Sequence, residues 1–229
     1  MAKRANQIEV YLETGQTRTF AAALEWPGWC RSGRGDEAAL QTLFDYAPRY
    51  ARVLAPTKLE FRAPSSVSDL AVVDRLTGNA TTDFGALNVD LPSDTQPVDA
   101  SELQRWQVIL EACWAAFDSA VQAALGKELR KGPRGGGRDL EKIVEHVIDV
   151  DHGYLRSLGG KLKRNREAEP SEALREIRQA ILTTLDEAVQ GNVPTHGPRG
   201  GTRWTPRYFV RRLAWHELDH TWEIEDRVI

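Results

Sequence analysis

The sequence predicts an α+β protein, a small β-β-β-α-β unit followed by a four-helix bundle. Three observations predict it. Short apolar runs, one with clear period-two alternation, surround one helical run between residues 7 and 62. From Asp99 to the end, apolar residues recur at helical spacing in four successive runs. Between these regions, residues 63–98 are rich in Ser, Thr, Asp, Pro and Gly. The expected organisation is a first domain over 1–62, a connecting segment with short strands or loops over 63–98, and the bundle over 99–229.

In the first domain, residues 8–12 and 17–25 read as strands, and the turn-bearing stretch 26–33 continues as a third. Asp36 opens a helix whose Ala39, Leu40, Leu43, Phe44 and Ala47 repeat at helical spacing. Residues 59–62 are expected to be the closing strand. In the connecting segment residues 70–76 are a further candidate strand, and Phe84 is expected to be the buried anchor.

The bundle begins at Asp99, with a stripe of Leu103, Trp106, Leu110, Cys113, Phe117, Val121 and Ala124. Asp139 caps a second helix, which Gly159 and Gly160 end. Pro170 starts a third, with Leu174, Ile177, Ile181 and Leu185 inward, and Gly191 closes it. Thr205 is a good N-cap and Pro206 a good first helical residue for the fourth.

Composition narrows the function. A chain of 229 residues with 41 % hydrophobic and 28 % charged content is typical of a globular protein. A net charge of −3 argues against general nucleic-acid binding. No apolar run is long enough to span a bilayer, and the first residues lack the apolar core of a signal peptide. Cys30 and Cys113 lack the spacing of a thiolate metal site and read as reduced thiols, which points to the cytoplasm. The expected partner is a small-molecule substrate, not nucleic acid or membrane, with a homodimer left open.

The chemistry concentrates in the last helix. His216 and His220 are four residues apart and share the face of Phe209 and Leu213, so both imidazoles are expected to point inward. An inward pair needs satisfying, and a divalent metal would do it. Two core histidines bonded to carboxylates or backbone are the simpler alternative. In the second helix His146 shares a face with Ile143 and Val150, while His152 is rotated away, so His146 is the expected third ligand. The spelling His216-Glu217-x-x-His220 also fits the zinc-protease motif with Glu217 as base, although only nine residues follow for a downstream ligand. Asp149, one turn beyond His146, and Asp219, beside His220, are candidates to orient an imidazole or act as a base.

Two loops share a spelling, Gly-Pro-Arg-Gly-Gly, at residues 132–136 and 197–201. Their arginines, Arg134, Arg138, Arg199 and Arg203, are candidates to hold an anionic group of a cofactor or substrate.

Two resemblances follow. Pro27-Gly28-Trp29-Cys30-Arg31-Ser32-Gly33 with Asp36-Glu37-Ala38-Ala39-Leu40 resembles the HicB-like antitoxin fold, which implies a fold only. Residues 99–229 resemble the DinB/YfiT-like superfamily, the most specific piece being Trp215-His216-Glu217-Leu218-Asp219-His220-Thr221-Trp222-Glu223. That resemblance implies a bundle running up-down-down-up, in which His146, His216 and His220 bind a divalent metal, zinc or nickel. It also implies a metal-dependent enzyme acting on a small molecule, in some relatives a transferase or isomerase using glutathione, mycothiol or bacillithiol. A low-molecular-weight thiol is accordingly the expected second cofactor. A hydrolase using Glu217 and a non-catalytic, metal-stabilised binding protein are the alternatives.

Overall fold

The computed structural model describes residues 7–131 and 137–229, and the chain divides into two compact units, Met1–Pro92 and Ser93–Ile229. The first unit is built on a four-stranded sheet of order β3-β2-β1-β4. Its strands are β1 (Ile8–Thr14), β2 (Thr19–Ala23), β3 (Cys30–Gly33) and β4 (Leu70–Thr77). β1 and β2, and β2 and β3, pair antiparallel, whereas β4 runs parallel to β1. Between β3 and β4 lie helices α1 (Asp36–Asp45) and α2 (Ala47–Leu54). The expected single helix breaks at Tyr46, where Pro48 in the first turn of α2 has no N–H to continue the ladder.

The closing strand is not at 59–62. That stretch is used for packing instead, with the Phe61 ring 5.0 Å from Trp26, 5.2 Å from Trp29 and 5.0 Å from Tyr50. A strand parallel to β1 must start at the same end of the sheet. The chain therefore needs a longer return, and β4 closes the sheet after it.

Phe84 is not an anchor either. It ends the short helix α3 (Ala80–Phe84) and is 91 % exposed, while Leu87 and Leu91 are buried. Polar contacts hold this region to the sheet. Asp83 accepts from the main-chain N–H groups of Gln16, Thr17 and Arg18. The fully buried Glu13 accepts from the Thr82 hydroxyl at 2.6 Å and the Asn88 amide at 2.9 Å.

The second unit contains four long helices, α4 (Ala100–Ala124), α5 (Leu140–Leu158), α6 (Pro170–Val189) and α7 (Pro206–Arg227). Sequence caps do as expected: Asp99, Asp139 and Thr205 accept from the amides of Glu102, Lys142 and Tyr208. Gly159 ends α5 at a φ of 118°, a backbone region that a side chain would strain.

Helix directions follow from which ends meet. Arg207 at the start of α7 pairs with Glu102 at the start of α4, and beyond their far ends Val228 bridges Leu129, so α4 and α7 are parallel. Arg138, just before α5, bonds Arg227 at the end of α7, so α5 runs antiparallel to them. A Cβ on Gly160, past the end of α5, would lie 2.6 Å from Thr184 late in α6, so α5 and α6 are parallel. The order is up-down-down-up, and residues 159–169 make the crossover.

Among the described residues no helix is long and apolar enough to cross a membrane.

Candidate metal centre

α7 is the central element of its unit. Fifteen of its 22 residues are buried, so it has no solvent face over most of its length. Both sides of the helix are therefore interior, and the two sides hold different chemistry.

On one side lie three histidines. The ring centroids of His146 and His216 are 5.2 Å apart, those of His146 and His220 5.0 Å, and those of His216 and His220 4.6 Å. One nitrogen from each ring falls within 4.8 Å of the other two. His216 Nε2 lies 3.3 Å from His146 Nε2. Two ligands of a tetrahedral ion with metal–nitrogen bonds of about 2.0–2.1 Å are separated by about 3.3 Å, so the donor set fits a metal.

Electrostatics agree with that fit. Burial, then the neighbouring His220 and Arg138, brings His146 down to about 4. Burial, His220 and His146 hold His216 well below the ordinary histidine range. Neutral imidazole is the form that ligates. His220 Nδ1 lies 2.8 Å from Glu223 Oε2. An imidazole that donates Nδ1–H to a carboxylate keeps its lone pair on Nε2. Burial works against the Glu223 charge, yet hydrogen bonds from His220 and Arg227 outweigh it and keep this carboxyl below its usual range. Glu223 stands in the stretch that carries the family resemblance, but no role for it was expected from sequence. The signal that could have found it is a carboxylate three residues beyond a metal-ligand candidate, which stands on the same helical face.

The neighbouring Tyr154 ring is 5.7 Å from His216, and its hydroxyl accepts from Arg212 Nη2 at 3.0 Å. Burial pushes this phenol up to about 12, so it keeps its proton.

On the other side of α7, Glu217 is fully buried, as is Asp151 of α5. Counted as ionised acceptors, neither carboxylate has a donor among the described residues. They lie within hydrogen-bonding reach of each other, and burial followed by the Glu217 charge raises Asp151 well above its usual range. Burial raises Glu217 to about 6. One proton shared between them supplies the missing donor. Cys113 is fully buried near this pair, and burial followed by the Glu217 charge pushes its thiol far up, so it is an inert core thiol.

Glu217, expected as the base of the zinc-protease motif, is fully buried with its carboxyl within hydrogen-bonding reach of Asp151, and His220 is among the groups whose charge acts on it. Asp149 does not orient an imidazole: it is exposed and forms an ion pair with Arg164 from the crossover. Asp219 is partly buried, and the carboxylate on His220 is Glu223 in its place.

The arginine candidates separate by helix direction. Arg138 lies at the histidine end, close enough for its charge to depress His146 and His216. Arg134 lies outside the described residues. Arg203 stands at the opposite end, donating to the Pro194 carbonyl at 3.0 Å and lying against Gly159. Arg199 is exposed in that same loop. The up-down-down-up order puts Arg138 and the 197–203 loop at opposite ends, so Arg199 and Arg203 do not join the histidines. His152, expected to be rotated away from His146, is buried and stands outside the histidine cluster, and His196 is exposed with Nδ1 3.0 Å from its own neighbour Thr195.

A family model described as the DinB superfamily matches residues 109–224, just over half of the chain and including all three clustered histidines. Neither the curated proteins nor the solved structures gave a match.

Proposed function

The chain belongs to the DinB superfamily, and from that premise we propose that it is a divalent-metal protein acting on a small molecule, with His146, His216 and His220 as ligands. The observation that carries this reading is the convergence of three imidazole nitrogens within 4.8 Å, two of them depressed toward the neutral form. Zinc or nickel suits an all-nitrogen set of borderline donors. Bound there, a divalent ion keeps its full charge and supplies Lewis acidity toward an anionic or thiol ligand.

The residues around the histidines have separable tasks. Glu223 orients His220. Arg138 adds positive charge at the same end and suits a carboxylate of the ligand. Tyr154, held by Arg212, offers a protonated hydroxyl beside His216. Cys113, the cysteine of this unit, is enclosed in the core, so its thiol is not offered to the histidines. A thiol nucleophile would therefore come from the ligand, and a low-molecular-weight thiol as cosubstrate in a transferase or isomerase reaction suits the site. Two buried, reduced cysteines suit a cytoplasmic setting. For the first unit, the antiparallel β1–β2–β3 meander followed by a helix supports a HicB-like fold, read as a scaffold only.

Metal analysis of protein purified without a histidine tag tests the reading. About one ion per chain is expected, lost in the His220→Ala variant. Calorimetry of the metal-loaded protein against glutathione, mycothiol and bacillithiol then tests the thiol. Wild-type protein that stays metal-free in excess zinc and nickel would sink the metal, and binding of no thiol would remove that half alone.

A further inference from the structure

The structure assigns to Arg227 the task of a positioning residue: through Glu223 it sets the tautomer and orientation of His220, and it ties that setting to the main chain on both sides of the glycine-rich loop before α5. This inference rests on the metal reading above and adds a residue that neither the histidine motif nor the family match singles out.

The argument starts from how His220 is held. Its Nδ1 faces Glu223 Oε2 at 2.8 Å. The other oxygen of the same carboxylate, Oε1, accepts from Arg227 Nη1. A glutamate bonded through one oxygen alone can rotate about its last torsion. With its second oxygen taken by a fixed guanidinium, it presents Oε2 to the imidazole in one direction. His220 is then locked as the Nδ1–H tautomer, with Nε2 as its only free lone pair.

Arg227 is itself fixed. Its Nε donates to the Arg130 carbonyl at 2.9 Å and its Nη2 to the Arg138 carbonyl at 2.7 Å. All three nitrogens of the guanidinium are thus engaged, each on a different acceptor. The Arg130 amide returns a bond to the Arg227 carbonyl at 2.7 Å. Only 15 % of the Arg227 side chain and 29 % of the Glu223 side chain are exposed, so these charge-assisted bonds are partly shielded from water. A lysine cannot reproduce the pattern, because its ammonium is a point charge without the planar fork.

Gly137 adds an independent observation. Its φ is +130°, and a Cβ there would lie 2.6 Å from Arg227 Nη2. Both the backbone region and the space demand glycine where the guanidinium passes. The end of the loop is shaped to receive Arg227. By contrast, His216 Nδ1 is buried and has no hydrogen-bond partner. Of the two histidines of α7, only His220 has its orientation set by a carboxylate.

The test uses the full chain and cobalt(II) as the probe ion, with the Arg227→Met, Arg227→Lys, Glu223→Gln and Gly137→Ala variants. Three quantities are read: cobalt affinity, the visible spectrum of the cobalt-loaded protein, and the nitrogen-15 shifts of the His220 imidazole in metal-free protein. Arg227→Met and Glu223→Gln are each expected to weaken cobalt binding about 10–100-fold. Their double variant should be no weaker than Glu223→Gln, since both lie on one path. Metal-free Arg227→Met should show mixed His220 tautomers where the wild type shows one, a change that a purely structural role would not produce. Arg227→Lys should fall between wild type and Arg227→Met. Gly137→Ala keeps the arginine but pushes its guanidinium aside, and should weaken cobalt in the same direction, which covers the case of Arg227→Met failing to fold. Cobalt binding by Arg227→Met or Gly137→Ala equal to wild type, or fully additive losses in the double variant, would overturn the relay while leaving the metal site standing. A wild type that binds no cobalt would remove both.

Discussion

The two buried polar clusters of α7 differ in how the helix presents them. His216 and Glu217 are adjacent in sequence, about 100° apart around the axis, and both are at least nine-tenths buried. On the histidine side, three side chains converge from two helices, with a carboxylate and an arginine orienting one of them. On the Glu217 side, two carboxyls face each other with no donor but a shared proton. The first arrangement suits a positive ion, as proposed above. The second minimises charge inside the core. Burial alone therefore does not mark a site, since what distinguishes the histidines is the convergence of lone pairs and the support behind them.

The largest effect expected is on metal affinity. Removing an imidazole by His216→Ala or His220→Ala should cost at least about 100-fold in zinc affinity, whereas Glu217→Gln should leave it within a few-fold. Calorimetry on the three variants breaks the comparison if Glu217→Gln behaves like a ligand loss.

Stability against pH should separate the clusters by sign. Glu217 is raised from 4.5 to about 6, and Asp151 is raised as well. An acid with a raised folded pKa favours folding below its unfolded value and loses that advantage as pH rises. Glu217→Gln should therefore stabilise metal-free protein by roughly 1–3 kcal/mol at pH 8, with little gain near pH 4.5. The histidines act in the opposite sense. His146 is lowered from 6.5 to about 4, and His152 and His216 are lowered too, burial being the main cause for each. Their neutral forms favour folding above 6.5, and that contribution is lost as pH falls from there toward 4. Denaturant melts of His146→Ala should show a flatter acid limb than wild type. An acid limb unchanged in that variant would remove the histidines from it.

A smaller effect belongs to neither cluster. Thr205 caps α7 through its hydroxyl, and Thr205→Ala should cost about 1 kcal/mol in chemical denaturation without altering metal affinity. The smallest effect is at Asp149, whose partner is Arg164 on the exposed side. Asp149→Asn should change zinc affinity by less than about two-fold and stability by less than about 1 kcal/mol. A large loss of zinc in this variant would restore Asp149 to the site.

By itself the sequence determined what local rules decide. Asp99, Asp139, Thr205 and Pro206 start helices, and Gly159 ends one, because capping geometry depends on a few neighbouring residues. The stripe from Leu103 to Ala124 and the inward turn of His146, His216 and His220 follow from a period of 3.6, which any helix obeys. The tertiary structure decided the rest. Glu217 is buried because α7 is surrounded, and a helix covered on all sides has no polar face for an amphipathic pattern to reveal. Arg138 and Arg203 stand at opposite ends because helix direction is set by the crossover and not by the local spelling around them. β4 at Leu70–Thr77, and not residues 59–62, closes the sheet because parallel pairing needs a long return. The support behind His220 joins Glu223 and Arg227 to Arg130 and Arg138, residues nearly a hundred positions away that only the packed chain brings together.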